Sequence, residues 1–243
     1  VKGLGILNFE NDRLSGESDF LHSLVNFANK MPFLVVDVGA NVGTYSNQMK
    51  LLSSNIEIYA FEPHPKTFVQ LQSSAKLYGY TALNLACGDI SGNLKLYDYA
   101  GSQDGSQHAS LYEDVIEKIH KSSSTSSDVQ VITLDNFIKE KEINRIHLLK
   151  IDTEGNEMKV LLGAKESITK KIIDIIHFEF NEMNVVSRVF FKDFYDLLEE
   201  YKFYRMLPDG LVPLGAYNPL LSEIFAYQNI IAIRRDVTWF KIL

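Results

Sequence analysis

The stretch Phe33-Leu34-Val35-Val36-Asp37-Val38-Gly39-Ala40-Asn41-Val42-Gly43-Thr44-Tyr45 decides the fold. An apolar run ends in an acid and a Gly-x-Asn-x-Gly turn, and a helical pattern follows at once. One helix later a second apolar run, Ile56-Glu57-Ile58-Tyr59-Ala60-Phe61, ends in Glu62-Pro63. A strand, a turn that lets a ligand lie against the main chain and an acid at the next strand tip make a nucleoside site. The acid can accept both ribose hydroxyl protons. The spacing is not Gly-x-Gly-x-x-Gly, and no third glycine opens the helix for a pyrophosphate. The expected ligand is therefore a nucleoside cofactor without a diphosphate, and S-adenosylmethionine is the candidate.

Outward from that stretch, strand and helix patterns alternate. Strand 33–38 leads to a helix near 43–52, strand 56–61 to a helix near 65–78, and strands 80–86 and 93–99 follow. Residues 100–128 change character, with glycines and the run Ser122 to Ser127, and predict a mobile, lid-like insertion in which His108 and Ser110 are candidate substrate contacts. A strand at 129–133, a helix opening at Leu134-Asp135, strand 146–151, a helix over 156–169 and strand 172–180 continue the pattern. A helix over 189–201, strand 203–207 and segments around 211–214 and 224–234 complete it. Residues 1–32 read as a cap: Ser18-Asp19 opens an amphipathic helix with Phe20, Leu21, Leu24, Val25 and Phe27 on one face. Such alternation predicts an α/β domain over 33–243 with a doubly wound, mostly parallel sheet.

Ligands bind beyond the carboxyl ends of such strands. Those tips carry Asp37 and Gly39, Glu62, Ala86 and Asp89, Asp152 and Glu154, and Glu179 and Asn181. Asp37, Gly39, Ala40, Asn41, Gly43, Glu62, Ala86 and Asp89 are the cofactor candidates. In Lys150-Ile151-Asp152-Thr153-Glu154-Gly155, period two puts Lys150 and Asp152 on one face, and Glu154 is a candidate substrate contact. Glu157 reads as a complement to the helix dipole. His177, Glu179 and Asn181 share a face of the next strand. They suggest a His–Glu pair supplying a base near neutral pH, with Asn181 toward the substrate, although His177 reads equally well as a core residue.

Two readings of the proton chemistry stay open. In one, Asp152, Glu179 and Asn181 hold Mg²⁺ or Ca²⁺. In the favoured one there is no metal, Asp152 or His177 takes the proton, and Lys150 balances the acids.

The whole chain bounds these readings. At 243 residues, 46% apolar and 23% charged, it suits one large α/β domain. Its net charge of −7 argues against a nucleic-acid partner. The single cysteine, Cys87, excludes an internal disulfide and a cysteine-cluster metal site. No apolar run is long enough to span a membrane, no secretory signal is legible, and the cytoplasm is the expected location.

Taken together, Val36-Asp37-Val38-Gly39-Ala40-Asn41-Val42-Gly43, Phe61-Glu62-Pro63, Thr133-Leu134-Asp135 and Leu149-Lys150-Ile151-Asp152-Thr153-Glu154-Gly155 resemble the FkbM-family methyltransferases. The resemblance implies the class I, Rossmann-like methyltransferase fold with seven strands and an antiparallel last strand. It also implies S-adenosylmethionine-dependent O-methylation of a sugar, glycan or natural-product hydroxyl. It makes Asp37, Gly39, Asn41, Gly43 and Glu62 cofactor residues, and Asp152 the residue nearest the transferred methyl. Two other classes compete. A nicotinamide-dependent oxidoreductase lacks its glycine signature here, and a non-catalytic nucleoside-binding module has no reason to keep Asp37, Glu62, Asp152 and Glu179 together.

Overall fold

The computed structural model describes residues 2–99 and 124–240. His108, Ser110 and the rest of 100–123 lie outside the described residues. The strands are β1 (Phe33–Val38), β2 (Ile56–Phe61), β3 (Thr81–Leu83), β4 (Ala86–Cys87), β5 (Gly92–Tyr99), β6 (Ser124–Ile132), β7 (Ile146–Ile151), β8 (Ile173–Phe180), β9 (Tyr201–Leu207), β10 (Gly210–Pro213) and β11 (Gln228–Arg234). The helices are α1 (Asp12–Ser15), α2 (Glu17–Ala28), α3 (Thr44–Leu52), α4 (Pro65–Tyr78), α5 (Leu134–Glu140), α6 (Glu157–Leu162), α7 (Lys165–Thr169), α8 (Met183–Ser187), α9 (Phe191–Leu197) and α10 (Pro219–Ser222).

The main sheet runs β10-β9-β11-β8-β7-β1-β2-β3. β1, β2, β3, β7 and β8 pair in parallel, and β11 runs antiparallel between β8 and β9. β10 makes eight strands where seven are expected, because the chain turns back after β9 and adds a short hairpin strand at the edge. Strand order reverses between β1 and β7, where a ligand crevice is expected.

Period two along β1 divides its side chains between two layers. Val36 and Val38 join a core with Leu149, Ile151, Phe178 and Phe180, under α5, α6, α7 and α9. Phe33 and Val35 face the other way and join Leu148, Ile175 and Ile231 under α2 and α3. On the first side Phe178 stacks on Phe194 with ring centroids 4.4 Å apart. Each such ring taken fully from water contributes about 1.5–3 kcal/mol.

Several expected elements change shape in three dimensions. The strand foreseen at 80–86 is two strands in different sheets. Asn84 separates them, its side-chain amide donating to the Glu62 and Pro63 carbonyls. The helix foreseen over 156–169 breaks at Gly163, where a Cβ would overlap the Gly88 carbonyl oxygen. After the break, the Asp135 carboxylate accepts from the Glu166 and Ser167 amides at 2.9 and 2.8 Å and caps α7 from another helix. The first cap helix of any length, α2, starts at Glu17 behind Gly16 rather than behind Ser18.

The Ser-rich segment is corrected in part. Ser124 to Asp128 belong to β6, which pairs antiparallel with β5 and in parallel with β4, so these five residues are strand rather than part of a mobile segment. A run of serines is compatible with a strand when backbone pairing, not apolar burial, holds it.

Candidate active site

The carboxyl ends of β1, β2, β7 and β8 open into a cleft of about 720 Å³. Three backbone features shape its floor. The Gly39 and Ala40 amides donate to the Phe61 carbonyl, and the Asp152 amide donates to the Val38 carbonyl at 2.9 Å. Gly39 has φ +79°, and a Cβ there would overlap the Asp152 carbonyl oxygen, so only glycine lets the tips of β1 and β7 come this close. Asn41 adopts the left-handed region with φ +52° and anchors itself, its Oδ1 accepting from the Val42 amide.

Glu62 stands at the tip of β2 and lines the cleft. Its Oε2 accepts from the Asn41 amide at 3.0 Å and its Oε1 from the His64 amide at 2.7 Å. Each carboxylate oxygen has two acceptor positions, so one remains on each for a ligand. Burial pushes its pKa up to about 7 against these two amides, which pull it down. Beside Glu62 the wall is apolar, formed by Leu85, Ala86, Cys87 and Leu96.

Beyond the glycine turn the cleft becomes charged. Lys150 is almost fully buried, with its Nζ 3.0 Å from Asp152 Oδ2, 3.9 Å from Asp37 Oδ1 and 5.1 Å from the centre of the Tyr45 ring. Burial alone would lower its pKa, but Asp152, Asp37 and Glu17 outweigh it and raise it. Acids nonetheless dominate this cleft. Asp12, Glu17, Glu62, Asp152, Glu154, Glu179 and Glu182 line it against Lys150 as the one cation among the described residues.

Each expected site residue among the described ones has a definite place. Gly39, Ala40, Asn41, Glu62, Ala86, Asp152, Glu154, Glu179 and Asn181 meet at this cleft. Asp37 sits behind it, fully buried, accepting from Ser46 Oγ at 2.7 Å and steadying Lys150. Burial raises its pKa. Gly43 also lies behind the cleft lining. A Cβ there would overlap the Tyr80 hydroxyl, so this glycine serves packing against α4 and its following strand. Asp89 is a correction: it is exposed and off the cleft, because Gly88 is tied to the Ile132 carbonyl and the chain turns outward after it. Glu157 accepts from the Thr153 and Gly155 amides and from the Thr153 hydroxyl, holding the turn before α6.

His177 is the larger correction. It is 1% exposed, does not line the cleft and does not touch Glu179. Period two puts the two on one face, but His177 is sunk against the Phe20 and Tyr45 rings while Glu179 stays at the rim. Its partners lie elsewhere. Asn229 Nδ2 donates to the Tyr227 hydroxyl, so Asn229 Oδ1 accepts from His177 Nε2 at 3.0 Å, and His177 Nδ1 takes the Tyr45 hydroxyl at 3.3 Å. Burial, then Lys150, lowers its pKa to about 4, which keeps it neutral. Tyr227 continues the chain by bonding Glu179, which also accepts from Asn181 Nδ2 at 3.3 Å. Burial, then the acids Asp152, Glu154 and Glu17, raise the Glu179 pKa well above the carboxylate range.

Among the described residues no group of three or more His, Cys, Asp or Glu side chains is arranged to hold a metal ion. Asp152 is already paired with an ammonium, and Asn181 Oδ1 accepts from the Met183 amide at 2.9 Å. The residues of the metal reading therefore do not fit a Mg²⁺ or Ca²⁺ cage as they stand.

Residues 37–204 match the methyltransferase FkbM domain. The chain belongs to the FkbM methyltransferase family. Among curated relatives it is 28% identical over 168 residues to the hexuronic acid methyltransferase AglP of Haloferax volcanii, covering 67% of this chain and 63% of that protein. It is 21% identical over 201 residues to the 2-O-methyltransferase NoeI of Sinorhizobium fredii, covering 77% and 80% of the two chains. The 31-O-demethyl-FK506 methyltransferase FkbM of Streptomyces tacrolimicus is 26% identical over 165 residues, covering 59% and 64%. A crystal structure of an FkbM methyltransferase from Methylobacillus flagellatus superimposes with a TM-score of 0.50 at 13% identity, covering 91% of this chain and 52% of that one. That likeness shows the fold, with helices on both faces of a mostly parallel sheet, as the FkbM family resemblance implies.

The sequence reading missed Glu17, Tyr45 and Tyr227. All three line the cleft. Tyr45 follows the glycine turn directly and was within reach of the pattern. Glu17 and Tyr227 come from the two ends of the chain, and no local spacing marks them.

Proposed function

We propose that this chain is an S-adenosylmethionine-dependent O-methyltransferase acting on a hydroxyl of a sugar, glycan or natural product. The observation that carries it is Glu62, whose two oxygens are fixed by the Asn41 and His64 amides so that one acceptor position on each is left for the two ribose hydroxyls. The apolar wall of Leu85, Ala86, Cys87 and Leu96 suits an adenine ring, and the Gly39 turn leaves the main chain open to close approach. The relatives AglP, NoeI and FkbM, a hexuronic acid methyltransferase, a 2-O-methyltransferase and a 31-O-demethyl-FK506 methyltransferase, favour hydroxyl acceptors.

The cofactor supplies an electrophilic methyl group. The protein's share is to hold two ligands in line, to surround the transfer point with carboxylates and to accept the hydroxyl proton. Asp152 is the proton acceptor best placed for this, half-exposed in the cleft and oriented by Lys150. His177 stays neutral behind the cleft and positions Tyr45 and Asn229.

Incubation with methyl-labelled S-adenosylmethionine and a panel of hydroxyl-bearing sugars and extracts tests the reading. Label on a hydroxyl oxygen, retained after exhaustive chelation of divalent ions, is the expected result. Label on nitrogen or carbon alone would overturn O-methylation.

A further inference from the structure

We infer that Glu17, carried by the N-terminal cap, is the binding partner of the α-ammonium group at the amino-acid end of the cofactor. The inference rests on the nucleoside reading of Glu62. Adenosine carries its base on C1′ and its amino-acid arm on C5′, on opposite sides of the ribose. With the base against the apolar wall next to β2, the arm runs the other way, over the Gly39 turn toward the first turn of α3.

The structure places a carboxylate there. Gly16 has φ +92°, and a Cβ on it would overlap the Leu207 carbonyl oxygen, so α2 docks tightly against the end of β9 and turns its first residue into the cleft. Gln48 Nε2 donates to Asp12 Oδ2 at 3.1 Å and lashes the cap to α3. The Glu17 side chain is 22% exposed and lines the cleft, with Oε1 3.9 Å from His177 Nε2.

Lys150 acts on Glu17 only through space, and what Glu17 lacks is a cation in contact. Its Oε2 accepts from Ser15 Oγ at 3.3 Å, and this is its one side-chain hydrogen bond among the described residues. His177 is neutral and gives its Nε2 proton to Asn229. Lys150 is held by Asp152 and Asp37 and forms no ion pair with Glu17 within 4 Å. Half-buried carboxylates normally find a charged partner. A ligand ammonium fills that vacancy, and the pairing of Lys150 with two acids removes the repulsion that would otherwise oppose it. The N-terminal cap is then part of the cofactor site rather than a cover for the sheet.

The test compares two probes that differ in this arm. S-adenosylhomocysteine has the α-ammonium, whereas 5′-methylthioadenosine keeps the nucleoside and lacks the whole amino-acid group. Calorimetric titration of both into wild type and Glu17→Gln is expected to show S-adenosylhomocysteine weakened about tenfold and 5′-methylthioadenosine changed less than about twofold. Unchanged binding of both probes, or equal weakening of both, overturns the Glu17 assignment; the first outcome would move Glu17 to the acceptor side. If wild type binds neither probe, the nucleoside reading fails and takes the inference with it. Retained 5′-methylthioadenosine binding also shows that the variant is folded.

Discussion

Asp174 and Glu179 lie on the same strand, β8, and their surroundings are opposite. Asp174 is fully buried near the amino end and meets Arg145 at 2.7 Å, Arg234 at 2.9 Å and the Trp239 indole N–H at 2.7 Å. Glu179 at the carboxyl end has only neutral partners, Asn181 and Tyr227, and is pressed by Asp152, Glu154 and Glu17. One end of the strand spends its charges on holding the fold. The other leaves acids in excess, an arrangement that favours a cationic ligand and costs stability while the ligand is absent.

The largest effect is expected where charge is balanced. Asp174→Ala removes the fully buried acid shared by Arg145 and Arg234, leaving Asp236 alone on Arg234, and should lower stability by about 3 kcal/mol in denaturant titration. Nucleoside binding by the folded fraction should be unchanged. A loss of binding equal to that of a cleft variant would dissolve the contrast between the two ends.

At the other end the pH dependence has a definite sign. Glu62 has its pKa raised to about 7 in the folded protein, above the ordinary carboxylate value, so the folded state holds its proton longer than the unfolded one. Its contribution to stability is fully present below about pH 4.5 and is lost as pH rises through 7. The stability of wild type relative to Glu62→Gln should therefore fall across that window, by up to about 3 kcal/mol. A flat difference would mean that Glu62 titrates normally. The smallest effect belongs to the relay between the two tyrosines. Tyr227→Phe removes the hydroxyl between Asn229 and Glu179 and should cost about 1 kcal/mol of stability. Calorimetry should show little change in nucleoside affinity.

This contrast also explains what could be read in the sequence. Gly39, Asn41 and Glu62 act through backbone geometry and neighbouring amides, so their roles are written into short local spacings. Lys150 and Asp152 meet because period two brings them together, and the 3.0 Å contact follows from it. The same period misleads for His177 and Glu179. It puts them on one face and says nothing about depth, and the strand carries His177 down against Phe20 and Tyr45 while Glu179 stays at the rim. Glu17 was hidden for another reason. An acid at the start of an amphipathic helix looks like a dipole complement, and only the docking of α2 on β9 turns it into the cleft.

The central claim is that the cleft between β1 and β7 holds a nucleoside by Glu62. Calorimetric titration of S-adenosylmethionine into wild type and Glu62→Ala tests it most directly. The expected result is a loss of about 1.5–3 kcal/mol in binding free energy, the range for a hydrogen-bonded charge, with the variant still folded. Equal affinity in the two proteins would contradict it.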